Sequence, residues 1–166
     1  APFHPGSGGA ITAAGEGGYG GGYLRIVAAG DIVLNGSLIA NGGAALGYST
    51  YPSGGSGGGI FVQCRRFSGG ASGSLQANGG NGTSVAGGGG GGRIAIWYSV
   101  DGASVQPLLA DPDNPTVAPR KKITLTNNTF TGTVSVVGGT GQNTGTNGTY
   151  IFLTVPSPPG TVFMLL

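Results

Sequence analysis

Apolar residues alternate along short stretches of this chain, and glycine separates the stretches. "GGYLRIVA" (Gly21 to Ala28), "GGIFVQC" (Gly58 to Cys64), "GGRIAIWY" (Gly91 to Tyr98) and "GTYIFLTV" (Gly148 to Val155) each read as glycine followed by a strand. Side chains two residues apart share one face of a strand, so period-two alternation predicts a half-buried strand in each case. One face is expected to carry Leu24, Ile26 and Ala28; Ile60, Val62 and Cys64; Ile94, Ile96 and Tyr98; and Ile151, Leu153 and Val155. The opposite face is mixed: Arg25 and Gln63 are polar, whereas Phe61, Trp97 and Phe152 are not. A face of that kind calls for a cover, from a loop of the same chain or from a neighbouring one.

A second motif recurs between these strands. "GSLIANGG" spans Gly36 to Gly43, "GSLQANGG" spans Gly73 to Gly80, and "GTVSVVGG" spans Gly132 to Gly139, with "GAITAAGE" (Gly9 to Glu16) as an earlier, weaker copy. Its apolar ladder is expected to hold Ile11 and Ala13, Leu38 and Ala40, Leu75 and Ala77, and Val134 and Val136, with Ile39, Gln76 and Ser135 facing outward. A short second strand is expected between the two motifs of each repeat, clearest in "GDIVLNG" (Gly30 to Gly36). The third interval is long because of an insertion at 101–121; without it the repeat length is about 38 residues. Glycine is unfavourable inside helices, and no stripe at a period of 3.6 competes. The pattern therefore predicts an all-β chain over 1–166: a short parallel β-solenoid of three to four glycine-rich coils with an inserted loop. A β-sandwich or jelly roll with glycine-rich loops is the alternative.

"GGGIFVQCRRFSG", "GSLQANGGNG" and "GGGGGGRIAIWYS" together resemble the glycine-rich β-helix repeats of large bacterial surface and autotransporter-like proteins. The resemblance covers roughly Gly21 to Val155. It implies a parallel β-helix used as a stalk, an adhesin shaft or a matrix component.

Composition narrows the function. Of 166 residues, 39 are glycine and only 7% are charged. The glycines have no Gly-X-Y period, which excludes collagen. The net charge of +2 comes from scattered residues, so no nucleic-acid face is expected. No apolar run is long enough for a membrane-spanning helix. The lone Cys64 sits in phase with Ile60 and Val62 and is expected to be a buried apolar residue. Abundant Gly, Thr, Asn and Ser with few charges, and a start at "APFHPGSGG", point to an extracellular or cell-surface protein after signal-peptide removal.

Candidate chemistry is sparse. Glycine strings that satisfy GxGxxG have neither a following helix nor a distal acid, so no nucleotide cofactor is expected. His4 is the only histidine, and the carboxylates do not cluster except in "ADPDNP". That turn makes Asp111, Asp113 and Asn114 a candidate calcium site and otherwise a surface turn. The chain is not expected to be an enzyme; a polysaccharide-acting β-helix enzyme would need grouped acids and bases. Ranked threonines at Thr124, Thr126, Thr129, Thr131 and Thr133 leave an ice- or glycan-binding adhesin module as the alternative function.

A solenoid without caps has open strand edges. The apolar stretch Val162, Phe163, Met164, Leu165 and Leu166 is the expected assembly strand, with Ala1, Pro2 and Phe3 as a second candidate. Head-to-tail contact of unlike surfaces gives a filament when it does not close. The leading expectation is a structural subunit whose partners are copies of itself, with glycan contact in the alternative reading.

Overall fold

A computed structural model describes residues 2–11, 15–47, 51–99 and 129–155. Ten strands appear in them: β1 (Tyr23–Val27), β2 (Ile32–Val33), β3 (Ser37–Ile39), β4 (Gly59–Cys64), β5 (Phe67–Gly69), β6 (Ser74–Gln76), β7 (Arg93–Ser99), β8 (Thr129–Phe130), β9 (Thr133–Ser135) and β10 (Thr149–Val155). They form three sheets of order β1-β4-β7-β10, β2-β5-β8 and β3-β6-β9. Every pairing between these strands is parallel. The chain is all-β, a short parallel β-solenoid. β1–β3, β4–β6 and β7–β9 each make one coil, and β10 begins the next. Parallel pairing throughout is foreign to a sandwich, whose hairpins and Greek keys pair strands antiparallel.

The registers explain the repeat. Leu24 stands opposite Ile60 and Ile26 opposite Val62. Ile60 then stands opposite Ile94 and Val62 opposite Ile96. Leu38, Leu75 and Val134 form the matching column of the third sheet. Ile60, Val62, Leu75, Ile94 and Ile96 are fully buried, with Leu24, Ile26, Leu38 and Val134 packed against them. Each large aliphatic buried this way stabilises the coil by roughly 1.5–3 kcal/mol.

Two expectations fail here. In β10 the phase is shifted by one residue. Tyr150 stands opposite Ile94, Phe152 opposite Ile96, and Ile151 opposite Ala95. Phe152 therefore enters the core, where its ring lies 6.2 Å from Phe67 and 6.3 Å from Phe130. Ile151 and Leu153 pack on the other face with Phe61, Ala95 and Trp97, and Val155 stands opposite Ser99. In "YIFLTV" alternation favours Ile151, Leu153 and Val155, but the other phase also carries a large apolar side chain, Phe152. The large core beside Phe67 and Phe130 takes the aromatic ring. The second failure is in the weak copy at Gly9 to Glu16, whose Ile11 does not join the apolar ladder. Ile11 is 78% exposed, Glu16 forms an isolated antiparallel bridge to Leu46, and Ala13 lies outside the described residues.

The glycine runs form their own layers beside the sheets. Runs 17–22, 53–58, 87–92 and 143–148 precede the four strands of the first sheet and lie side by side, parallel. Gly18 and Gly21 donate to the carbonyls of Ser53 and Ser56, Gly54 and Gly57 to those of Gly87 and Gly90, and Gly88 and Gly91 to those of Asn143 and Thr146. The bonds recur every third residue, the repeat of a polyproline II helix with three residues per turn. A second row, at 40–45, 77–82 and 136–140, follows the third sheet and runs antiparallel to the first. A zigzag of N–H···O bonds joins the rows: Gly43 to Tyr19, Gly55 to Gly43, Gly80 to Gly55, Gly89 to Gly80, Gly139 to Gly89 and Gly145 to Gly139. Backbone touches backbone throughout. A Cβ at Gly80 would lie 1.8 Å from the Gly43 carbonyl oxygen, and one at Gly55 would lie 2.1 Å from that of Tyr19.

Candidate functional site

Among the described residues the one ion pair, Asp31 with Arg65, joins two coils. Among the described residues there is no group of three His, Cys, Asp or Glu able to hold a metal ion. Arg65 Nε donates to Asp31 Oδ1 at 2.7 Å across the corner of the first two coils, on the surface. That hydrogen bond, helped by the positive charge of Arg65 and Arg66, holds the Asp31 carboxyl below the usual carboxylate value. Cys64 is fully buried, and burial together with the Asp31 charge pushes its thiol up to about 12. A thiol held protonated and out of solvent is a packing residue, not a nucleophile.

Asparagines form the clearest polar array. Asn41 Oδ1 accepts the N–H of Asn78, and Asn78 Oδ1 accepts the N–H of Val137 and the hydroxyl of Ser135. Asn35 accepts from Gly70, Asn81 from Thr140 and Asn147 from Gly138. Thr129 and Thr131 donate their hydroxyls to the carbonyls of Phe67 and Gly69 in the preceding coil. Thr129 and Thr131 of the expected rank are thus coil-to-coil braces, whereas Thr133 bonds to the preceding coil through its backbone N–H. Thr124 and Thr126 lie outside the described residues.

The aromatic core at the second sheet escaped sequence reading. Phe67 and Phe130 lie 5.3 Å apart at the corner, on strands of two or three residues that are too short to show a period. Their signal is the glycines around them. A Cβ at Gly73 or Gly132 would come within 2.6 Å or 2.5 Å of the Phe130 ring.

Two surfaces remain as candidates for recognition. The first is the set of strand edges. Among the described residues β1, β2 and β3 each have one hydrogen-bonded neighbour, as do β8, β9 and β10 at the other end. Ala28, beyond β1, donates to Gln63 of β4. By alternation the N–H groups of Leu24 and Ile26 also face β4, and those of Tyr23, Arg25 and Val27 face the open edge. The second is the outer face of the first sheet. Phe61 and Trp97 meet edge to face at 5.1 Å and are buried, as is Gln63. Beside them a groove of about 330 Å³ is lined by Pro2, Arg93, Ala95, Trp97, Ile151 and Leu153.

The expected assembly residues divide. Pro2 and Phe3 lie along the outer side of the glycine runs, where they border a groove of about 340 Å³ with Ser56, Gly57, Gly92 and Arg93. Ala1, the stretch Val162, Phe163, Met164, Leu165 and Leu166, the insertion at 101–121 and the candidate calcium ligands Asp111, Asp113 and Asn114 lie outside the described residues. No helix among the described residues is long and apolar enough to cross a membrane. Comparison with protein-family models, with curated proteins and with solved structures finds no match.

Proposed function

We propose that this chain is a structural protein of the cell exterior, a subunit that stacks end to end into a surface or matrix fibre. The observation that carries the reading is the polarity of the coil. Because all pairings between the strands are parallel, the two ends of the solenoid are unlike, and the open edge of β1–β3 complements that of β8–β10. Contact between unlike ends repeats without closing and builds a filament. Unpaired edges are templates for further strands. The low charge, and the use of Asp31, Arg65 and the asparagines as joints between coils, suit a scaffold and not catalysis. The resemblance of the repeats to those of bacterial surface proteins agrees with it.

Electron microscopy of the purified chain beside its Arg25→Pro variant tests the reading. Arg25 is exposed and its N–H points to the open edge, so proline there removes an edge donor without removing a bond to β4. Fibres from the wild type and none from R25P, with the far-UV circular dichroism unchanged, are expected. Wild-type chains that stay monomeric, or R25P fibres of normal length, would overturn it.

A further inference from the structure

We infer that the groove between runs 87–92 and 143–148 is a docking site for the glycine-rich arm at 6–10 of a second copy. The argument starts from the groove that this arm fills in its own chain. There it lies antiparallel between runs 17–22 and 53–58. Gly6 and Gly9 donate to the carbonyls of Gly21 and Gly18, and Ser56 and Ser53 donate to those of Ser7 and Ala10. The hydroxyl of Ser56 adds contacts to the backbone of Ser7, accepting its N–H at 2.7 Å and donating to its carbonyl at 3.3 Å. Glycine is required beneath the arm. A Cβ at Gly20 would lie 1.9 Å from the Gly6 carbonyl oxygen, and one at Gly17 would lie 2.3 Å from that of Gly9.

The strand registers carry these positions along the row. Gly17 corresponds to Ser53, Gly87 and Asn143, and Gly20 to Ser56, Gly90 and Thr146. In the groove between 53–58 and 87–92 the two positions are serines, and their Cβ atoms close it to a chain placed as the arm is. In the groove between 87–92 and 143–148 they are Gly87 and Gly90, and a Cβ at either meets nothing nearer than 3.7 Å. Glycine is thus present where no described residue demands it. The hydrogen-bonding groups are present too. The carbonyls of Gly88 and Gly91 correspond to those of Gly18 and Gly21. The N–H groups of Asn143 and Thr146 correspond to those of Ser53 and Ser56. None of these four has a partner among the described residues. Asn143 and Thr146 are exposed, and the Thr146 hydroxyl takes the place of the Ser56 hydroxyl. The groove is a second copy of a site whose ligand is visible, and the arm of one chain cannot fill both.

Cysteine pairing between two full-length chains tests this. A Ser7→Cys chain is mixed with a Thr146→Cys chain and oxidised; Cys64 is buried and does not compete. A disulfide joining the two chains is expected as the main product. Gly90→Val or Gly87→Val in the T146C chain fills the groove and is expected to lower its yield tenfold or more, with an unchanged melting temperature. The proposal is overturned if no S7C–T146C product forms while S7C and S56C in one chain do pair. It is also overturned if neither valine variant lowers the yield, or if S7C pairs between chains with S56C instead. The same product is expected from R25P chains, so failure of end-to-end stacking and failure of the groove read out separately.

Discussion

Asn78 accepts the backbone N–H of Val137 at 3.0 Å while its own N–H is held by Asn41 at 2.7 Å. One side-chain type thus ties three successive coils, each asparagine bridging to the backbone of the next. Asn78→Ala leaves the partly buried Ser135 hydroxyl and the exposed Val137 N–H without their acceptor. A loss of about 1 kcal/mol is expected. Urea unfolding measures it, and a change below a few tenths would show that water replaces the amide.

The glycine rows give a sharper contrast. Gly80→Ala drives a methyl to 1.8 Å from a carbonyl oxygen, whereas Gly90→Ala brings one only to ordinary contact, 3.7 Å from the Thr146 carbonyl oxygen. The first is expected to cost about 3 kcal/mol or more. The second is expected to stay within about 1 kcal/mol of wild type. Paired urea melts check both. Equal destabilisation would mean that the runs do not pack as described.

The shifted phase of β10 is testable in the same way. Phe152→Ala removes a buried ring that meets Phe67 and Phe130, at a cost of about 3–5 kcal/mol. Ile151→Ala, on the half-buried outer face, is expected to cost less than half of that. Were the sequence-based phase correct, the order would reverse.

That reversal marks how far the residues alone could be read. The columns Leu24–Ile60–Ile94 and Leu38–Leu75–Val134 were legible because each coil supplies clean alternation. β10 was not, since alternation favours the aliphatic phase of Ile151, Leu153 and Val155 while the core takes Phe152, and the glycine run does not fix the count. Gly59 already lies within a strand, opposite Tyr23 and Arg93. β5 and β8 were expected as the short second strand of each repeat but could not be located, because two or three residues cannot show a period. The motif at Gly9 misled, since its Ile11 is exposed and does not join the ladder. The open groove was not legible: the six glycines at 87–92 read as one more run before a strand, and only the partner geometry of the arm marks the groove.

Cys64 sets an alkaline limit. Its thiol is raised to about 12 in the folded chain, above the ordinary thiol value of about 8.5. A raised value favours the folded state fully below the unfolded value, and the advantage disappears as pH rises towards the folded one. Stability is therefore expected to fall between about pH 8.5 and 12. An alkylating reagent at pH 8 is expected to label unfolded chain and spare folded chain. Rapid labelling of native protein would contradict the buried position.

Asp31 offers a local probe of the first corner. Its carboxyl lies below the ordinary value of 3.8 because Arg65 donates to it. Arg65→Gln is expected to return the carboxyl towards that value, as followed by carboxyl NMR. With the pair exposed, overall stability is expected to change little. The small gain that exists is present above the unfolded value and lost as pH falls through the lowered one.

The three-residue turn of the glycine runs also governs which changes in length the gene can tolerate. Runs 17–22, 53–58, 87–92 and 143–148 each span two such turns before the first sheet. Inserting or deleting three residues lengthens or shortens a run by one turn and returns the strand in the same orientation. Adding a single glycine to 87–92 rotates the next strand by a third of a turn, and Ile94 and Ile96 would no longer meet Ile60 and Val62. A tract that looks prone to drift in length is therefore counted in threes.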